Sequence, residues 1–152
     1  MNEFDVAAGG QTLATLAMSI TQIPTIGLAA AHDLQITTPF YPDMTDETRA
    51  WSKRLMARDG GHLPNMIRCG AYSATLHYLK AGTTAGPAVM AKLHSLPVDD
   101  FEMKNVHIRQ DGQVMRPMYL ARVKQPSESK FDYDYYDVEA TVSAEQAWRP
   151  LE

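Results

Sequence analysis

The spacing of apolar residues changes once along this chain, near Lys104. Residues 13–20, LATLAMSI, form a short apolar run that suits either a buried strand or a helix segment; periodicity alone does not separate the two. Pro24 opens PTIGLAAAHD, an Ala-rich, helix-permissive stretch. Residues 34–38, LQITT, lean toward strand through Ile36 and two threonines. Thr45 is a good N-cap, with Asp46 and Glu47 in a first turn where the helix dipole favours negative charge. Trp51 and Leu55 lie four apart on one face, and Gly60-Gly61 ends the helix. Pro64 opens a second helix to about Ala81. Ile67, Ala71, Ala74 and Tyr78 share one stripe there, flanked by Tyr72, Leu76 and Leu79. The apolar arc is wide and predicts a well-buried helix closed by Gly82. Pro87 suits the N1 position of a third helix, with Val89, Met90, Leu93 and Leu96 inward and Pro97 as the stop.

Beyond Lys104 the period is two. Val106 and Ile108 alternate with His107 and Arg109, and Asp111-Gly112 is a strong hairpin turn signal. Val114 begins a return strand that runs past the edge-type Pro117 to Val123, so residues 104–124 read as a β hairpin. A polar loop over 126–134 precedes a strand over 135–141. Ser143 and Gln146 have capping-box spacing for a last turn holding Trp148. The order is strand–helix–strand–helix–helix–helix and then a β-rich tail. It predicts an α/β fold with a small antiparallel appendage. The end at Glu152 reads as a true carboxyl terminus. The start does not read as a true beginning, because a lone βα step leaves most of a sheet missing.

Composition narrows the function. With 152 residues, 45% hydrophobic and 21% charged, the chain is sized for one domain with a core. A net charge of −4 argues against nucleic acid as a partner. The single cysteine, Cys69, excludes an intrachain disulfide. No apolar run is long enough to cross a bilayer, and MNEFDVAAGGQ is not a signal peptide.

No catalytic set emerges. The five histidines, His32, His62, His77, His94 and His107, include no pair three or four apart, so no helix presents paired metal ligands. There is no nucleophile elbow and no phosphate-binding Gly loop with a Lys. Cys69 falls within a predicted buried helix and reads as a small core hydrophobe. Asp99-Asp100 reads as a solvated turn, and the acid–aromatic run Asp132 to Asp137 fits either a ligand face or an edge strand. No metal or cofactor is expected.

The strongest candidate is Phe40-Tyr41, set between Pro39 and Pro42 at the end of the 34–38 strand. In open α/β sheets, ligands sit at the carboxyl ends of strands. Two readings stand: the rings pack inward and cover a helix start, or at least one walls a small ligand, with Thr37 and Thr38 adding hydroxyls. If the first two strands pair in parallel, Thr21 and Gln22 join the same pocket.

Four segments carry a resemblance: LQITTPFYPDMTDETRAWSKR, GAYSATLHYLKAG, VHIRQDGQVMRPMYLARVKQPSESK and DYYDVEATVSAEQAWRPL. In this order and spacing, from Gly10 to Leu151, the chain resembles the carboxy-terminal part of periplasmic substrate-binding proteins of the branched-chain amino-acid (Leu/Ile/Val-binding) type, which serve ABC importers. The resemblance implies the type I periplasmic-binding fold. Two Rossmann-like α/β lobes are joined by crossover strands, and the ligand lies in the cleft between them. Closure is a hinge motion recognised by the inner-membrane permease, with no chemistry done on the ligand. The family's cleft aromatic maps to Tyr41, with Phe40 adjacent, and its cleft-facing turn maps to Thr21-Gln22. Relatives often carry an acid where this chain has Gln22. A neutral amide compensates an ammonium poorly, which favours a carboxylate ligand, one with an aromatic body included, over an α-amino acid.

The resemblance covers well under half of a full family member. Residues 1–152 are therefore expected to be a carboxy-terminal fragment of a two-lobed protein. The full-length family is periplasmic; this chain as written would stay in the cytoplasm. Two other classes remain open: a ligand-sensing module of a receptor or regulator with the same fold, and a small α/β enzyme.

Overall fold

A computed structural model describes residues 9–82 and 86–151. Residues 13–20 do not settle into one element. Ala14–Thr15 forms a two-residue strand, β1, and Ser19 then caps a single 3₁₀ turn over Ile20–Gln22. The Ala-rich stretch splits into two short helices, α1 (Ile23–Ile26) and α2 (Leu28–Ala31), because Gly27 sits between them at φ +88°. The chain returns as β2 (Gln35–Thr38), parallel to β1, with Ala14 opposite Gln35 and Thr15 opposite Ile36. The expected parallel pairing is therefore present. Ile36 and Thr38 point into the core from β2, and Thr37 points outward.

The first long helix, α3 (Asp46–Arg58), starts where Thr45 dictates. Thr48 N–H donates to Thr45 Oγ1 at 3.1 Å, and Thr45 N–H donates to Thr48 Oγ1 at 2.9 Å. Gly60 and Gly61 follow with positive φ, as the double glycine predicts.

The helix α4 (Met66–Ala81) has nearly the expected extent, although Asn65 rather than Pro64 provides the start, by accepting from Arg68 N–H at 3.0 Å. Its rotation differs from the expected one. Ile67 is 69% exposed and Leu79 is 67% exposed, while Cys69, Ser73, His77 and Ala81 form the buried face. The polar groups on that face find partners outside the helix. Ser73 donates to Asp100, His77 Nε2 lies 3.1 Å from the Leu93 carbonyl, and Cys69 Sγ lies 2.5 Å from Glu102. In α5 (Gly86–Ser95) Val89 is buried and Leu93 half-buried, but Met90, expected inward, is exposed.

The Asp111-Gly112 turn forms, with Gly112 at φ +87° and Arg109 N–H donating to the Gln113 carbonyl at 2.8 Å. Only its tip is a hairpin. Ile108 bridges Val114, but Val106 bridges back to Val98, and Arg116 N–H folds onto the Val114 carbonyl. The return strand, β3 (Met118–Val123), instead pairs antiparallel with β2 on one side and with β4 (Tyr136–Val142) on the other. The sheet order is β1-β2-β3-β4. Asp137 and Glu139 stand exposed on the outer strand β4, which blunts that edge. A final turn, α6 (Ala144–Ala147), follows. Ser143 occupies its N-cap but makes no capping hydrogen bond, contrary to the expected capping box.

Two apolar clusters result. One gathers Ile20, Ile23, Ile36, Leu63 and Val123 around the sheet. The other joins Phe40, Trp51 and Cys69, with Phe101 stacked on Trp51 at 4.1 Å between ring centroids. Each well-placed aromatic pair contributes roughly 0.5–1.5 kcal/mol beyond its buried area.

The polar loop before β4 is organised by Asp134, which is buried. Its carboxylate accepts from Lys124 Nζ at 2.5 Å and from Lys130 N–H at 3.0 Å. Burial alone would raise this carboxyl, but the two donors outweigh it and hold it below the ordinary aspartate value of 3.8.

Thr45→Ala should lower stability by about 1 kcal/mol in urea unfolding, whereas Ser143→Ala should leave the midpoint unchanged within error. Asp134 binds its proton less readily in the folded chain. Its stabilisation is complete above the ordinary aspartate value and lost as pH falls through the lowered one. Urea midpoints at about pH 6 and about pH 3 should therefore fall further for the native chain than for Asp134→Asn.

Candidate ligand-binding site

Because β1 and β2 are parallel, their carboxyl ends lie on one side of the sheet. The 3₁₀ turn follows the first end and Phe40-Tyr41 follows the second. Ile20 and Ile23, which flank Thr21-Gln22, belong to the cluster against which Tyr41 packs. Thr21 lines a cleft that neither Gln22 nor Tyr41 lines, so the structure shows no direct contact among the three.

Phe40 does not join them at the surface. It is 1% exposed and meets Trp51 edge-on at 5.8 Å and Phe101 at 6.3 Å. Its place as a ligand wall is corrected to a core role. Thr38 is likewise buried; its hydroxyl donates to the Phe40 carbonyl at 2.7 Å and fixes the corner. Tyr41 is half-buried and meets Tyr136 edge-on at 5.9 Å. Burial, then the charges of Asp43, Asp134 and Asp137, raise its hydroxyl pKa, so it stays a neutral donor.

The turn is rigid. Ser19 N–H donates to Gln22 Oε1 at 2.8 Å, closing a capping box, and Thr21 Oγ1 lies 2.9 Å from Ser19 Oγ. Gln22 Oε1 is therefore engaged, and the side chain offers its amide N–H groups.

Two clefts open beside these residues. The larger, about 540 Å³, is lined by Pro42, Asp43, Arg49, Ser52, Phe131 and Tyr133, among others. Tyr41 is not among its walls; the cleft begins at the next residue. The second, about 390 Å³, is lined by Thr21, His62, Asn65, Arg68 and Tyr133. Tyr133 and Leu63 belong to both. Tyr133 holds φ +72°, a left-handed conformation uncommon for a bulky side chain. Its ring meets Tyr135 edge-on at 6.0 Å. Ser52 is buried, and its hydroxyl has no hydrogen-bond partner among the described residues. Arg49 is paired with Asp43 and Asp46, and Arg68 with Asp59.

The chemistry available is recognition: cations and amide or hydroxyl donors at the rim, with apolar surface from Met56, Leu63 and Phe131. Among the described residues, no group of three His, Cys, Asp or Glu is placed to hold a metal ion. Cys69 is fully buried, and burial first, then the Glu102 charge, pushes its thiol well above the usual range, so it is no nucleophile. Sequence reasoning missed Arg49, Ser52 and Tyr133. The only signal for Tyr133 was the acid–aromatic run that begins at Asp132.

No curated protein matches the chain. A periplasmic binding protein from Burkholderia mallei is 37% identical, with a TM-score of 0.88 over 97% of this chain and 40% of that one. A protein from Burkholderia xenovorans, described as a branched chain amino acid ABC transporter periplasmic ligand-binding protein, is 36% identical. It has a TM-score of 0.87 over 98% of this chain and 41% of its own. A leucine-, isoleucine-, valine-, threonine- and alanine-binding protein from Brucella ovis, in a closed conformation, shares the fold at 18% identity. Its TM-score is 0.72, over 95% of this chain and 40% of that one. The chain thus spans about two fifths of the length of these solved structures. The periplasmic binding protein family matches residues 1–130. With that match across most of its length, and a mixed α/β sheet of the type I periplasmic-binding fold, the chain belongs to the periplasmic binding proteins.

Proposed function

We propose that this chain is part of the solute-binding component of an ABC importer of the branched-chain amino-acid type. It contributes one wall of an interlobe cleft, and residues outside the 152 supply the other. The assembled protein captures a small amino acid or carboxylate in the periplasm and delivers it to the permease without transforming it. The observation that carries this reading is the parallel pairing of β1 and β2, whose carboxyl ends lead toward Thr21-Gln22 and Tyr41 on one side of the sheet. Family membership and the 36% identity to the Burkholderia xenovorans protein support it.

The donor character of the site favours a carboxylate. Gln22 offers N–H groups because its oxygen is engaged by Ser19, and Tyr41 stays protonated. An ammonium finds no acid at Gln22. The ligand's apolar body is accommodated by the ring of Tyr41 and the cleft that begins at Pro42.

Calorimetric titration of the 152-residue chain with leucine, isocaproate and phenylacetate should give affinities weaker than micromolar, because on this reading the chain supplies only one wall of the cleft. Micromolar affinity would overturn the shared-cleft reading. At millimolar ligand, NMR shift changes should centre on Thr21, Gln22 and Tyr41. Gln22→Glu, which keeps the capping box, should shift preference from isocaproate to leucine by roughly tenfold, equivalent to one charge-assisted hydrogen bond. Changes centred elsewhere, or no shift in preference, would reject these residues as the site.

A further inference from the structure

The helix α4 is apolar on more sides than these residues bury. Cys69, Ser73, His77 and Ala81 face the core. Ile67, Ala71, Ala74 and Tyr78 stand exposed on another face, and Tyr72 and Leu79 extend it. The first four are spaced by four, three and four residues, so each is the surface neighbour of the next. Arg68, which follows Ile67, is already paired with Asp59. Single exposed apolar residues need no explanation, but a connected row of them marks a contact surface. A helix that is apolar on most sides belongs between two layers.

Three occupants are physically distinct: a second copy, a lipid surface, and the rest of the same polypeptide. Residues 60–98 contain no Asp or Glu and carry Arg68, Lys80 and Lys92. Two copies meeting through α4 would therefore set like charge against like charge, with no acid from either helix to offset it. Those three cations also fall short of the roughly 4–8 basic residues that bind an anionic membrane surface, and one of them is paired.

The rest of the polypeptide meets both conditions that the others fail. The chain spans 40% and 41% of the two Burkholderia structures, which leaves about three fifths of each beyond it. A second bare place points the same way. Leu16 is 98% exposed just after β1, and β1 is the end strand of the sheet. Two uncovered apolar places on different elements fit one large cover.

We propose that the Ile67–Tyr78 stripe of α4 is an intramolecular docking surface, covered in the complete protein by an apolar layer from residues outside these 152, with acidic side chains at its rim. Ala71 and Ala74 let that layer approach closely between the larger Ile67 and Tyr78. The proposal rests on the reading that the chain is part of a longer binding protein, but its four residues line neither ligand cleft.

The test puts residues 1–152 into the Burkholderia xenovorans protein in place of its matching segment. Ile67→Cys and Tyr78→Cys are labelled with a maleimide in the 152-residue chain and in the joined protein; Cys69 is fully buried and stays silent. Both positions should label freely in the 152-residue chain and about a hundredfold more slowly in the joined protein. Ser127→Cys, on an exposed loop, should label at one rate in both. Ile67→Glu should leave the Tm of the 152-residue chain unchanged within about 1 °C and lower that of the joined protein by roughly 5 °C or more. Equal labelling of Ile67→Cys and Tyr78→Cys in the two proteins overturns the proposal. So does an Ile67→Glu change that the joined protein tolerates, or a joined protein that does not fold cooperatively. Dimerisation of the joined protein, or its adsorption to phosphatidylserine vesicles, that Ile67→Glu removes gives the face to another occupant and overturns it too. Ligand affinity reports separately: micromolar binding by the 152-residue chain removes the shared cleft and leaves this face standing.

Discussion

Arg116 is the constraint on which much of this arrangement depends. Its guanidinium pairs with the buried Glu102 and donates to the Pro39 carbonyl at 2.6 Å, and its own carbonyl accepts from Trp148 Nε1 at 2.8 Å. Through Glu102 it also reaches Cys69 on α4. One residue, through its side chain and its backbone carbonyl, thereby joins the corner after β2, the long helix, the segment between α5 and β3, and the carboxy-terminal turn. Removing either member of a buried ion pair costs about 3–5 kcal/mol, because the remaining charge is stranded. The pair does more to fix positions than to add net stability. It holds the Pro39 corner from which Phe40 turns inward and Tyr41 outward.

The parts of the fold legible in the sequence are those decided by neighbouring residues. Thr45 and the double glycine bound α3 because capping and positive φ are local matters. The α4 helix shows where that reasoning stops. Its length was readable, but its rotation was not. The face with Ile67 and Tyr78 has the better apolar stripe, and yet the face with Ser73 and His77 is buried. The deciding partners, Leu93, Asp100 and Glu102, belong to segments that no helical period reports. Similarly, Val106 pairs with Val98 rather than across the turn ahead of it.

The site divides the same way. The parallel pairing of the first two strands was readable from their order, and it is what made Tyr41 and Thr21-Gln22 candidates. Phe40 is aromatic like its neighbour but is fully buried in the other cluster, placed there by the Thr38 hydroxyl and by rings from α3 and Phe101. Ser52 is on the α3 face that its own helix gives no reason to single out. Tyr133 arrives from a loop whose course depends on a buried aspartate and two lysines, one through its side chain and one through its backbone N–H.

The backbone of Tyr133 carries one more implication. A left-handed residue of this size is held there by its surroundings at a conformational cost of roughly 1–3 kcal/mol. Glycine or asparagine would relax that torsion at once. Any search for hardier versions of this polypeptide would favour those two residues, and would erase the partition that both clefts share. Robustness and the shape of these two clefts are thus in opposition at a single dihedral angle.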